Sequence, residues 1–170
     1  MRNKAKILSF IIVIILCISG GQLFGQRKIN LSTGIGFTEL INIGTRFRIG
    51  DQVTTGVYIG WWPPSQPGIL SWGNLMSLSG GICYHFAGSS SFSNLRPVYI
   101  GIRLNGIMDT NDNWNMLILD SNLRIGRDFY LTKDIIIEID GGIAYNINHK
   151  ETGVLSFLPV LGIRFLLAGF

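Results

Sequence analysis

Val98-Tyr99-Ile100-Gly101-Ile102-Arg103-Leu104-Asn105 sets every large aliphatic side chain on one side of an extended chain and Tyr, Gly, Arg and Asn on the other. Successive side chains of a strand point to opposite faces, so this period of two marks a strand with one apolar and one polar face. The same design recurs on both sides of it. Segments Ile29–Phe37, Ile41–Ile49, Val53–Trp62 and Leu75–Phe86 precede it, and Leu117–Gly126, Ile135–Asn146 and Leu155–Phe165 follow, giving eight predicted strands. Few Ala, Glu and Lys and abundant Ile, Thr, Gly and aromatics argue against helix.

The phases of these strands follow from their apolar residues alone. The charges are therefore a separate check. Arg46, Arg48, Arg103, Asp120, Arg124, Glu138, Asp140 and Arg164 all fall on the polar face. A water-soluble barrel buries its apolar face, whereas a membrane barrel turns that face to lipid and keeps a polar interior. An eight-stranded barrel has an interior just wide enough to be filled by side chains. Rows of Ile, Leu, Phe and Trp overfill such a space; Gly, Ser and Asn punctuated by long polar groups suit it. The expected fold is all-β: a closed, antiparallel, eight-stranded up-and-down transmembrane barrel. Its segments approach the roughly 9–11 residues that a tilted strand needs to cross hydrocarbon, and closure pairs every backbone group. Aromatics collect at the row ends: Phe37, Trp61, Tyr145 and Phe157 at one, Phe47, Tyr84, Phe86 and Phe165 at the other.

The N-terminus has a different composition. Arg2, Lys4 and Lys6 precede an apolar run from Ile7 to Ile18, then small residues to Gly25. That is the layout of a secretory signal peptide, with an apolar run too short to span a bilayer as a helix. Residues 1–25 are expected to be removed, with cleavage after Gly25 preferred over Gly21, leaving 26–170 as one barrel domain. Of 14 Lys+Arg, those three leave with the signal; 11 remain against 10 Asp+Glu, a net +1. No nucleic-acid partner is expected, since no Lys/Arg run remains as a phosphate footprint. Cys17 departs too, so Cys83 has no disulfide partner within the chain.

Chemistry-bearing residues are sparse. His149, Glu151 and Ser156 admit a lipid-modifying hydrolase, but no orienting third residue has a defined spacing. Cys83 and His85 supply two ligands where zinc wants three or four. Gly34-Ile35-Gly36 precedes no helix, and Asp109-Thr110-Asn111-Asp112 lacks the Gly and Glu of a calcium loop. The expectation is therefore no catalytic site, no cofactor and no metal. Five interior Arg face three carboxylates, a surplus of two cations; together with Tyr58, Tyr99 and Trp62 they are expected to plug the lumen.

From Gln26 to Phe170 the chain resembles the small outer-membrane barrels of the OmpA/OmpX type. The resemblance rests on strand number, alternation, strand length and an aromatic-rich final strand, Val160-Leu161-Gly162-Ile163-Arg164-Phe165. It implies residence in a Gram-negative outer membrane, lipid as the main partner, and recognition of the last strand by the assembly machinery. It also implies a monomeric, non-enzymatic protein with a structural or surface-interaction role through short external loops, whose external partner the residues do not name. A soluble periplasmic ligand-binding barrel is the remaining alternative. Two departures stand out: Phe170 is out of phase with Phe165, and Pro159 removes a ladder donor from a sheet without edges.

Export places the first strand running outward. Trp62–Asn74, Met108–Asn115 and Ile147–Gly153 then face outside, and Gly50–Gln52, Ala87–Pro97 and Arg127–Asp134 face the periplasm. A symmetric hairpin around Met108–Asn115 sets Arg103 opposite Asp120; keeping polar faces together around Arg127–Asp134 sets Arg124 opposite Glu138 and Asn122 opposite Asp140.

Overall fold

Strands that alternate large apolar with polar or small residues leave edges exposed until the sheet closes on itself. The computed structural model, which describes residues 29–62, 74–110, 115–148 and 155–168, shows that closure. β1 (Ile29–Gly36), β2 (Leu40–Arg48), β3 (Val53–Trp62), β4 (Leu75–Ala87), β5 (Val98–Asp109), β6 (Asn115–Tyr130), β7 (Ile135–Asn146) and β8 (Phe157–Ala168) form one antiparallel barrel in sequence order. β1 pairs with β8 to seal it. The N-terminal segment 1–25, His149, Glu151, Asn111, Asp112 and Phe170 lie outside the described residues.

The register fixes the shape. Partners followed from Val98 through Arg127, Ile139, Ile163, Ile35, Ile41, Trp61 and Met76 return to β5 at Met108, ten residues further on. A ladder that climbs this far around eight strands has them tilted by about 35–45°. The climb also levels the aromatics. Phe37, Trp61, Tyr145 and Phe157 share an upper belt, where the Tyr145 and Phe157 rings lie 5.4 Å apart. Phe47, Tyr84, Phe86, Phe129 and Phe165 share a lower one. At about 3.3 Å per residue along tilted strands, the belts are about 20 Å apart.

The surface between the belts is inverted relative to a water-soluble barrel. Ile102 is 56% exposed, Ile143 58% and Leu161 70%. Ser32, Asn42, Arg46, Asn105, Asp120, Arg124, Glu138, Asp140 and Arg164 are buried inside. A contiguous apolar exterior of this extent is far larger than the patches that monomeric proteins expose to water.

Several expectations change. β6 runs on to Tyr130, so the turn that follows it spans 131–134 rather than Arg127–Asp134, with Leu131 N donating to Ile135 O at 2.9 Å. The longer strand moves the β6–β7 register: Glu138 stands opposite Asp128, Asp140 opposite Gly126, and Arg124 opposite Gly142. Pairing that starts at Asp109 opposite Asn115 and a bulge between Ile107 and Met108 together move the β5–β6 register by two residues, so Asp120 stands opposite Asn105, and Arg103 opposite Asn122. Trp62 is 36% exposed at the end of β3 and does not plug the lumen. β8 continues past Phe165, with Leu166 turned inward and Leu167 outward.

Pro159 has a simple explanation. Leu161 O accepts from Phe37 N at 2.9 Å, so Leu161 and alternate residues of β8 direct their backbone groups toward β1. Pro159 shares that side. In the same register its opposite number is Glu39, which has left the sheet, so no donor is missed there.

Replacing Ile102 with Arg puts a charge on the outer face midway between the belts, at an expected cost of about 2–4 kcal/mol in a bilayer. Urea unfolding from lipid vesicles reads this out; a variant as stable as the parent would overturn the inside–outside assignment.

Candidate functional site

Four arginines project into the lumen from four strands: Arg46 on β2, Arg103 on β5, Arg124 on β6 and Arg164 on β8. A buried guanidinium must be matched by charge and by hydrogen bonds. Arg46 grips Asp128 with both Nη atoms (3.0 and 2.8 Å) and reaches Glu138 at 2.9 Å. Arg124 Nη1 donates to Asp140 at 2.7 Å and its Nη2 lies 3.1 Å from Glu39. Arg164 donates to Glu138, to Asp140 at 2.7 Å and to Glu39. Arg103 donates to Glu39 and lies 3.9 Å from Glu138. The guanidinium groups of Arg103 and Arg164 both lie over the Tyr58 ring, 4.8 and 5.1 Å from its centroid. Asp140 further accepts from the Tyr99 hydroxyl at 3.3 Å.

The cluster therefore sets Glu39, Asp128, Glu138 and Asp140 against four arginines. Two of these carboxylates had not been assigned to the interior, and they remove the surplus of cations. Asp128 was missed because Arg127 interrupts the apolar row of β6 and makes the strand look finished. Glu39 was missed because it belongs to a turn, where no periodicity points inward. Arg48 is not part of the cluster. It lies half-buried at the lower mouth, donating to the carbonyls of Gly50 (3.1 Å) and Asp51 (2.6 Å). Asp120 sits apart from the arginine ladder and accepts from the amides of Asn105 (3.1 Å) and Asn122.

Glu39 arrives on a turn folded into the barrel. Thr38 and Glu39 are buried, and Leu40 takes a left-handed backbone (φ 63°), an uncommon conformation for a branched residue. The structure holds it there with the bonds a sheet would otherwise provide. Asn105 Nδ2 donates to Thr38 O at 2.7 Å, Ser77 Oγ to Glu39 O at 2.9 Å, and Asn42 Nδ2 to Leu40 O at 3.1 Å. Gly60 makes the space: a Cβ there would overlap the Glu39 carbonyl and the Ser77 hydroxyl. Leu40 then packs with Leu75 and Ile107, backed by Ile118, as an apolar seal.

The lower end is closed by the 88–97 connection. Gln52 donates to Asn94 O (3.0 Å) and accepts from Arg96 N (2.9 Å). His85 Nδ1 is 2.7 Å from Arg96 O, which can only accept, so that nitrogen carries the proton; Nε2 meets the Thr54 hydroxyl at 3.1 Å. Leu95 is buried beneath them. A small pocket of about 40 Å³ remains at this mouth, lined in part by Arg48, Tyr130 and Lys133. Ser156 is half-buried where the chain approaches β8, its carbonyl accepting from Asn146 N at 2.8 Å. Cys83 and His85 both face inward from β4, and among the described residues no group of three His, Cys, Asp or Glu is placed to hold a metal.

These features define a class: a closed eight-stranded barrel, apolar outside, with a lumen filled by a charge-matched network and stoppered at both ends. Two solved structures resemble it. The N-terminal β-barrel domain of Pseudomonas aeruginosa OprF is 17% identical, with 83% of this chain and 96% of that chain covered and a TM-score of 0.45. Neisserial surface protein A (NspA) is 14% identical, with 84% and 94% covered and a TM-score of 0.48. No protein-family model and no curated protein matches the chain.

Glu39→Gln leaves three arginines short of a carboxylate and is expected to cost about 3–5 kcal/mol. Gly60→Ala should unseat the same turn. Because both act through one element, the double variant should lose less than the two single losses combined. Unfolding in detergent measures this; additivity within about 0.5 kcal/mol would mean that the two sites are independent.

Proposed function

We propose that the chain is an integral outer-membrane β-barrel without enzymatic activity, serving the envelope structurally or through contacts made by its external loops. The observation that carries this reading is the pairing of a lipid-compatible exterior with an ion-paired lumen in one closed sheet. Any polar backbone group in hydrocarbon must be paired internally, and only a helix or a closed barrel achieves that. The lumen is stoppered by Glu39 and its turn above and by the 88–97 connection below, which favours a solid stave over a conduit. The signal at 1–25 would deliver the chain to the periplasm, and the aromatic final strand would be read by the assembly machinery. The barrel would then stand in lipid as a monomer.

The lipid-modifying alternative depends on His149, Glu151 and Ser156. Lipid A should be unchanged in cells carrying His149→Ala and Ser156→Ala; an altered profile would restore an enzyme.

Cell fractionation tests the main reading. The protein should appear in the outer-membrane fraction, migrate differently on gels before and after boiling, and give almost no conductance in planar bilayers. Recovery in the soluble periplasmic fraction would favour a ligand-binding barrel instead. In a Cys83→Ser background, an impermeant thiol reagent added to intact cells should label Asn113→Cys and spare Ser90→Cys. The opposite pattern would invert the orientation.

A further inference from the structure

Arg127 breaks the rule that charges point inward. It lies on the outer face of β6, exposed, between Ile125 and Phe129 and opposite Val98 and Ile139. Its level is that of the lower aromatic belt, and its guanidinium rests 5.1 Å from the centre of the Phe129 ring. Its side chain is exposed and has no hydrogen-bond or ion-pair partner among the described residues. A second cation comes from the connection that leads into β5. Pro97 O accepts from Asp128 N at 2.9 Å, which brings the residue before Pro97, Arg96, to the same corner of the barrel. Arg96 is exposed, and its Nη1 donates to Phe86 O at 2.8 Å, which anchors the side chain at the end of β4 and leaves its other donors available.

The setting selects the ligand. A charge facing mid-bilayer costs about 2–4 kcal/mol, but close to nothing at the interface, so this pair belongs at the headgroup level. The anions at that level are lipid phosphates, and a guanidinium fork matches a phosphate with two parallel hydrogen bonds. Ile100 and Ile125, exposed on the mid-barrel side of Arg127, provide the apolar flank for the acyl chains, while Phe86 and Phe129 stand on its mouth side. The rim at this end exposes Arg96, Arg127 and Lys133 against Asp51 and Asp134, a local excess of positive charge among the described residues.

We propose that Arg96 and Arg127, braced by Phe86 and Phe129, form a binding site for the phosphodiester headgroup of an anionic phospholipid in the leaflet at this end of the barrel. The site rests on the membrane-spanning reading above. Together the two arginines hold one lipid on the outside of β5, at the closed end formed by the 88–97 connection.

Native mass spectrometry of the folded protein in neutral detergent, titrated with phosphatidylglycerol or phosphatidylcholine, tests this. Folding of each variant is checked first by heat-dependent gel migration. The parent should retain phosphatidylglycerol in preference to phosphatidylcholine. Each of Arg96→Gln and Arg127→Gln should weaken retention roughly fivefold, and the double variant on the order of twentyfold. Arg127→Lys, which keeps the charge but loses the fork, should fall between the parent and Arg127→Gln. Inorganic phosphate in excess should compete poorly; displacement of the lipid by phosphate alone would show a free-phosphate site and overturn the lipid assignment. Equal retention by parent and double variant overturns the site while leaving the barrel in the membrane. A parent that folds in water and does not enter vesicles overturns the membrane reading and the site with it.

Discussion

The clamp on Glu39 is the constraint to which the rest of the barrel conforms. Three guanidinium groups converge on this one carboxylate, from β5, β6 and β8. Without it, Arg103 would be left with a distant Glu138, and the lumen would hold uncompensated positive charge in a confined space. Supplying that carboxylate from a turn dictates several local choices. β1 must stop at Gly36, Leu40 must accept a left-handed backbone, and Gly60 must carry no side chain. The hydroxyl of Ser77 and the amide of Asn105 replace the ladder bonds that Thr38 and Glu39 give up.

The two faces of the sheet obey opposite economies of charge, and the same alternation serves both. Inside, every arginine of the cluster is shared between carboxylates, so that removing any one group leaves its partners buried and unmatched. Outside, Arg127 is tolerated at the level of the lower aromatic belt, where it lies against the Phe129 ring.

The architecture was legible because strand faces repeat every two residues. Closed topology, strand number, and the inward direction of Arg46, Arg103, Asp120, Arg124, Glu138, Asp140 and Arg164 could all be read that way. Register could not, because it depends on where strands end. The outward Arg127 hid the last turn of alternation in β6, and a hairpin end one residue longer than expected together with a bulge at Ile107 displaced the pairing of β5 with β6. Glu39 was opaque for a different reason. The three residues between β1 and β2 carry no periodic signal, and their inward fold is set by partners far away in the chain, at Ser77, Asn105 and Arg164. The left-handed Leu40 has no sequence mark either, since the residue usually found in that conformation is Gly or Asn.

Because the first turn leaves the sheet, the seam between β1 and β8 runs only from Asn30 and Ala168 to Gly36 and Gly162. Every other ladder joins strands that are neighbours in sequence and can zip from a hairpin, whereas this one must bring the two ends of the chain together. Loop-closure cost leads us to expect this joint to close last and, having the fewest paired residues of the described ladders, to part first. Slow exchange of backbone amides would therefore be lost earliest along β1 and β8, and the ribbon that remained would still be stitched by its hairpins. Glu39, held by β5, β6 and β8 at once, acts across that seam as a rivet through the lumen.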